Sequence, residues 1–300
     1  MYTLYQLTKR HMLLYFRDRS AVFFSLLSVL IVLILMLVFL GDMNKDNLIQ
    51  LVSSAQGVID EADANHVIIL WTIAGILVVN AFTNPITMIG IYIKDKEEHK
   101  LESFYASPIS RGTLILSYLI AAILTGFIMC LFILLLSALY VASTGYSFVS
   151  LPQLIQVIAL ILLCVFVSSC LILLVAQFVR SDRAWGAFST LAGTLIGFLG
   201  GIYLPMGMLP SGIQTFLKAL PFLHETALMR EVLTTDAIQH VFETLPVAYS
   251  NGYQEMMGIT IHLQGEILSG HLQIFVLCLC AIITLGISLF LLKKHTAFDR

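Results

Sequence analysis

Six uncharged or nearly uncharged apolar runs constrain this chain more than any other feature. Residues 21–40 carry no charge at all, and comparable runs cover residues 67–93, 114–141, 154–179, 184–203 and 272–292. About 20 apolar residues suffice for a helix to cross the hydrocarbon core of a bilayer. Backbone amides in lipid must be satisfied within their own segment, so these runs are expected to be helices. A hydrophobic share of 59% and a mean hydropathy of +0.94 agree. The expected fold is an all-α membrane protein with six transmembrane helices. It forms one transmembrane domain over residues 1–300, with a distinct N-terminal segment (1–20), a polar loop (94–112) and an external region (204–271). The net charge of −2 gives no electrostatic support for a nucleic-acid partner.

Charge asymmetry sets the expected orientation. With the N-terminus inside, residues 1–20, 94–113, 180–183 and 293–300 are cytoplasmic and hold 13 of the 16 Lys and Arg residues. The external pieces keep Lys45, Lys218 and Arg230 but 11 of the 18 acidic residues. The positive-inside rule therefore places both termini in the cytoplasm. The first run is too long for a signal-peptide core and no A-x-A-like site closely follows Leu40, so it is expected to be a retained span.

Residues 1–20 have an amphipathic pattern. Leu4, Tyr5, Leu7, Met12, Leu14, Tyr15 and Phe16 share one broad side at 100° per residue, and Gln6, Lys9, Arg10 and Arg17 gather on the other, with Leu13 as an exception. Such a helix can lie in the headgroup plane with its cations toward anionic lipid. It serves either as an anchor or as an elbow that also touches a partner.

The loop that follows residue 93 reads KDKEEHKLESFYASPISRG. Leu101, Phe104 and Tyr105 supply an apolar side at helical spacing, while Glu98 and Glu102 are like charges at i,i+4. Pro108 disfavours helical geometry at Ser107 and should end the helix there. The segment resembles the cytoplasmic coupling region of the ATP-binding cassette 2-type (ABC-2) permeases. Glu97, Leu101, Glu102, Ser107, Pro108, Ile109, Ser110 and Arg111 match that family's pattern, and His99 and Lys100 depart from its usual Gly-Thr. The resemblance implies that Glu97, Glu98, Leu101, Glu102, Phe104, Tyr105, Pro108 and Arg111 couple the chain to a nucleotide-binding subunit.

The resemblance continues after the fifth run. Gly200 and Gly201 loosen its end, and Pro205, Pro210 and Pro221 break the chain too often for another crossing. Short re-entrant or interfacial helices are expected on the external side between spans five and six. Gly201, Tyr203, Pro205, Leu209, Pro210, Pro221 and Arg230 match the family's order, with His224 where an aromatic residue is common. Residues 234–270 are acidic and read as a solvated insertion, or as a lid or partner contact.

Within the second run, Asn80, Thr83, Asn84 and Thr87 place polar groups in an apolar helix, with Asn80 and Asn84 on one face. They are either glue between helices or a candidate translocation path. The runs carry no Asp, Glu, Lys or Arg, which argues against an ion-coupled transporter. No P-loop, H-E-x-x-H or G-x-S-x-G motif is present, so neither ATP hydrolysis nor hydrolase chemistry is expected on this chain. Cys130, Cys164, Cys170, Cys278 and Cys280 lie in apolar runs and read as buried thiols. No metal site is expected.

Taken whole, the resemblance implies a permease subunit of an ATP-driven bacterial exporter in the cytoplasmic membrane. It implies two copies of an ABC ATPase, which carry the ATP and Mg, and a second identical or homologous permease. The cargo expected from the apolar surface is amphiphilic or lipid-like: a drug, peptide or toxin. A polysaccharide or glycolipid exporter, and a motor-free transporter or receptor, are the alternatives.

Overall fold

The computed structural model describes residues 1–35, 41–106, 109–263 and 265–298. The described chain runs α1 (Tyr2–Arg17), α2 (Arg19–Leu35), α3 (Gly41–Ser54), α4 (Glu61–Glu97), α5 (Lys100–Tyr105), α6 (Arg111–Ser143), α7 (Leu151–Ala176) and α8 (Asp182–Leu199). A 3-10 turn at Met206–Met208 leads to α9 (Ser211–Lys218), α10 (Pro221–Val241) and α11 (Val247–Met256). A two-stranded antiparallel hairpin, β1 (His262–Leu263) with β2 (Glu266–Ile267), precedes α12 (Gly270–Phe298).

Helix α4 is the axis of the molecule. The Asp60 carboxylate accepts from the Ala62 amide at its start, Glu61 and Asp63 occupy its first turn, and Lys94 and Lys96 its last. Both ends thus complement the helix dipole. At 1.5 Å per residue its 37 residues extend about 55 Å, well beyond a hydrocarbon core of about 30 Å. Its ends therefore project into two polar poles, called here the lower pole (Glu97 end) and the upper pole (Glu61 end). Pro85 sits inside the helix without ending it. Gly126 lets α6 come close at that level, because a Cβ there would meet Val165 at 2.9 Å and Pro85 at 3.5 Å.

Four described helices are long and apolar enough to cross a membrane: α4, α6, α7 and α12 as far as Leu291. The other two expected spans are helical but do not reach that measure. Helix α2 is described for 17 residues, and the rest of its run, residues 36–40, lies outside the described residues. Helix α8 has 18 residues and opens with Asp182 and Arg183, which leaves too short an apolar stretch.

The N-terminal helix forms, but its buried stripe is not the broad apolar side read from the sequence. Leu7, Thr8, His11 and Tyr15 are buried, while Tyr5, Leu14 and Phe16 stay exposed. Packing against α6 selects the face that can hydrogen-bond as well as the one that is apolar.

The external region departs furthest from expectation. Helix α10 lies against α4 and runs antiparallel to it. Phe222 meets Phe82 near the middle of α4 (5.0 Å), Arg230 stacks on Trp71 (3.9 Å), and His240 reaches Asp63 at the upper pole (3.6 Å). The first turns of α10 are thus sunk among α4, α7 and α12. Glu225 and Arg230 have no exposed surface. The apolar runs themselves hold no charged residue, as read; these buried ionisable side chains come from α10, which the sequence reading counted as an outside segment.

Residues 234–270 are not a solvated insertion either. Ile238, Val241, Phe242, Tyr253, Met257 and Ile259 pack with Leu48 and Val52 of α3 and with Val67, Ile68 and Trp71 of α4 in a separate apolar core. Arg230 fastens this cap. Its two terminal nitrogens donate to the carbonyls of Gly201 (2.9 Å), Met257 (3.1 Å) and Gly258 (3.4 Å), and Trp71 Nε1 donates to the Met257 carbonyl as well (2.9 Å). Gly201 and Gly258 both have positive φ, +61° and +65°, so the carbonyls that meet Arg230 sit on turns that glycine makes cheaply.

A lysine at position 230 keeps the charge but cannot fork between two loops. Arg230→Lys is expected to destabilise the folded chain by about 1.5–3 kcal/mol, the value of a charged hydrogen bond in a buried setting. Thermal unfolding followed by the fluorescence of Trp71 and Trp185 measures it.

Candidate functional site

At the lower pole, six elements converge: α1, the end of α4, α5, the start of α6, the end of α7 and the start of α8. Asp95 is at the centre, with its side chain 5% exposed. Its Oδ2 accepts from Arg10 Nη1 of α1 (3.1 Å) and from the Tyr118 hydroxyl of α6 (2.6 Å). A buried carboxylate is tolerable when paired and hydrogen-bonded in this way. Arg10 also lies over the Phe104 ring of α5, 5.3 Å from its centroid. One arginine therefore touches the elbow, the axis and the short helix together.

His11 completes the seat of α1. An arginine has only donors, so the 3.2 Å contact from Arg10 Nη1 must end on an Nδ1 lone pair. Ser117 donates its own proton to the Leu114 carbonyl, so His11 Nε2–H donates to Ser117 Oγ (3.0 Å). The ring stacks on Tyr118 at 3.7 Å. This tautomer is neutral, and burial followed by the Arg10 charge pushes the His11 pKa down to about 3. One turn further, the Tyr15 hydroxyl donates to Asn84 Oδ1 (3.1 Å), and Asn84 Nδ2 donates to the Asn80 carbonyl (3.0 Å).

The short helix α5 forms where expected. His99 adopts a left-handed conformation, φ 58°, which breaks the axis between Glu97 and Lys100. Leu101 is buried and Phe104 half-buried, so the apolar side faces the bundle. Glu98, Glu102 and Ser103 face out; Glu98 pairs with Lys100, and Glu102 with His99 at 2.7 Å. Glu97, though exposed, is tied to α8, its carboxylate accepting from the Asp182 amide that starts that helix (2.8 Å). Arg111 is the first residue of α6 and is half-buried. Ser107, Pro108 and the side chain of Tyr105 lie outside the described residues.

The four polar residues read as glue or path differ in their surroundings. Asn80 and Asn84 are buried and hydrogen-bonded. Thr83 is half-buried and bonds the Val79 carbonyl, whereas Thr87 lines an open cavity of about 500 Å³ between α1, α4, α5 and α8. Leu14, Ile91 and Trp185 give that cavity an apolar wall, and Lys94, Asp18 and Asp182 bring both charge signs to it. Its volume is that of a small-molecule site.

Among the residues expected to shape the external turns, Gly200 ends α8 and Gly201 takes the positive φ. Pro205 precedes the 3-10 turn, Pro210 precedes α9, and Pro221 is the first residue of α10, where a missing amide costs nothing. Asp95, His11 and Tyr118 were not foreseen. A signal for Asp95 existed: it lies three helical turns beyond Asn84, on the same polar stripe of α4. Among the described residues, no group of three metal-binding side chains is assembled.

A family model described as ABC-2 type transporter matches residues 2–234, which include the elbow, the lower pole and most of α10. No curated protein matches the chain.

The His11 geometry has a pH signature. Its folded pKa is depressed, so the undocked state takes up the proton first. The stabilisation is full above the ordinary value of 6.5 and is lost as pH falls below it, by about 1.4 kcal/mol per pH unit. Spin labels at the exposed positions Tyr5 and Leu124 should report release of α1 between pH 6.5 and 5. His11→Gln should remove the pH dependence.

Proposed function

This chain belongs to the ABC-2 type transporter family, and from that premise we propose that it is the permease of an ATP-driven exporter. Membership makes it a multi-pass membrane subunit of a transporter, not a catalytic one. The observation that carries the finer reading is the build of α5. Its apolar residues Leu101 and Phe104 are used up in seating it on the bundle, and its outer face is polar and ready for a soluble protein.

In this reading the soluble protein is an ABC ATPase, two copies per transporter, which bring the ATP and Mg. The lower pole is cytoplasmic, with both termini on that side of a bacterial cytoplasmic membrane. Helices α2 and α8 complete six spans, α9 and α10 are the re-entrant pair, and a second permease closes the path. A push on α5 reaches α1 through Phe104 and Arg10, α4 and α6 through Asp95, and α8 through Glu97. This moves the pole as a rigid unit, in keeping with alternating access. The cavity beside α5 pairs an apolar wall with charges of both signs, which suits an amphiphilic cargo. Thr87 then belongs to the path, and Asn80 and Asn84 hold α1 beside it.

The docking face predicted from the geometry is Glu98, Glu102 and Ser103, with Leu101 and Phe104 behind it. Purified from native membranes in mild detergent, the chain should carry ATPase activity. Ser103→Trp or Glu102→Arg should lower that activity at least about tenfold at unchanged elution, the loss of roughly 1.4 kcal/mol of docking energy. Leu101→Asp should instead unseat α5 and lower the unfolding temperature. A chain that elutes without ATPase from membranes that contain one points to a motor-free transporter or receptor.

A further inference from the structure

Glu225 is the one carboxylate among the described residues that is fully buried with neither oxygen hydrogen-bonded. Acidic side chains are almost never found in that state unless paired. It lies at the start of α10, where that helix meets α7 and α12. Cys164 of α7 and Cys280 of α12 are the titratable groups within electrostatic reach. Helices α4 and α8 present no ionisable residue to this level. On α10 itself, His224 bonds the Lys218 carbonyl through Nε2 (2.9 Å), and Arg230 spends its terminal nitrogens on the cap. Lys218 of α9 donates to the His262 carbonyl (2.8 Å), and Glu231 lies exposed further along α10. Among the described residues, no cation faces the acid.

Other buried polar atoms without partners lie on α7, the Ser168 and Ser169 hydroxyls about one turn beyond Cys164, while the side chains of His224 and Gln273 face one another. A buried acid with no hydrogen bond calls for an explanation, and exchange of its proton with water is one that its chemistry allows. The end of α8 packs directly beside this acid. Gly200 packs so closely on Thr226, the neighbour of Glu225, that a Cβ there would stand 3.0 Å from its hydroxyl. Gly200 ends the same α8 whose first amide is held by Glu97 at the lower pole.

We propose that Glu225 is a proton-binding site that follows the conformational cycle. In the sealed arrangement described here the carboxyl is a neutral acid. When the start of α10 opens to water, the O–H bond breaks, the proton passes to that water, and the carboxylate is solvated. On closing, a proton is taken back from the same side. Acid pH favours the sealed form and alkaline pH the hydrated one. The cycle invoked rests on the alternating-access reading above, while the proton site itself lies on this chain and is tested without an ATPase partner.

The test uses the full chain in lipid nanodiscs. The infrared spectrum at pH 7 should contain a carboxylic-acid carbonyl band that is absent from Glu225→Gln. Asp95, the other buried carboxylate described, is paired with Arg10 and is common to both proteins, so it cancels from the difference between their spectra. Labelling of Cys164 and Cys280 by a small water-soluble thiol reagent, mapped by mass spectrometry, should rise with pH more steeply in the wild type than in Glu225→Gln. The excess should be up to about tenfold per pH unit, the limit for one linked proton. The variant carries the same thiols and so removes their own pH dependence. Identical infrared spectra, or parallel labelling profiles, overturn the proposal. If Glu225→Gln does not assemble, the wild-type spectrum decides: absence of an acid band at pH 7 rejects a neutral Glu225.

Discussion

A backbone amide in lipid has no water to bond to, and everything in this molecule is arranged around one helix that meets this condition for 37 residues without a break. Helix α4 is buried on all sides through its middle and touches α1, α2, α3, α5, α6, α7, α8 and α10. Because it is longer than a bilayer core is thick, its two ends stand in polar surroundings while its centre does not. The sorting of charge into two poles follows from that length. Asp60, Glu61 and Asp63 gather partners at one end, and Asp95 and Lys96 at the other.

Three interior ionisable side chains are handled in three ways. Asp95 is paired with Arg10 and a tyrosine, which makes it a tie between the elbow and the axis. Arg230 faces carbonyls and an indole ring, a neutral coordination that suits the weakly hydrated guanidinium and staples the cap to α4. Glu225 has no partner at all. The first two hold the fold together; the third is a cost the fold carries, and unexplained cost in a core is where function tends to be found. Helix α8 links these places mechanically, because its first amide is bonded to Glu97 and its last glycine lies on Thr226.

Much of this was legible from residue order. The helix around Leu101 was foreseen because Leu101, Phe104 and Tyr105 repeat at helical spacing. The prolines at 205, 210 and 221 marked where helices stop and start. The amphipathic elbow was seen, but its buried stripe was misjudged: hydropathy ranks Phe16 above His11, whereas the α6 surface offers Ser117 and Tyr118, which only His11 can use. The stretch 234–270 looked solvated because it is acidic, and its apolar residues are scattered. They cohere only when α3 and the start of α4 are brought beside them.

Sequence by itself determined the apolar runs, the asymmetry of charge, the breaks and the helical character of nearly every segment, because each depends on a few neighbouring residues and on the solvent. Tertiary structure decided which helices lie side by side, and with that the partners of every interior polar group. Arg10 and Asp95 are 85 residues apart in the chain, and Arg230 and Trp71 still further. Hydropathy makes no distinction between a glutamate in water and the same glutamate sealed between α7 and α12. That difference arises only when α10 turns back into the bundle.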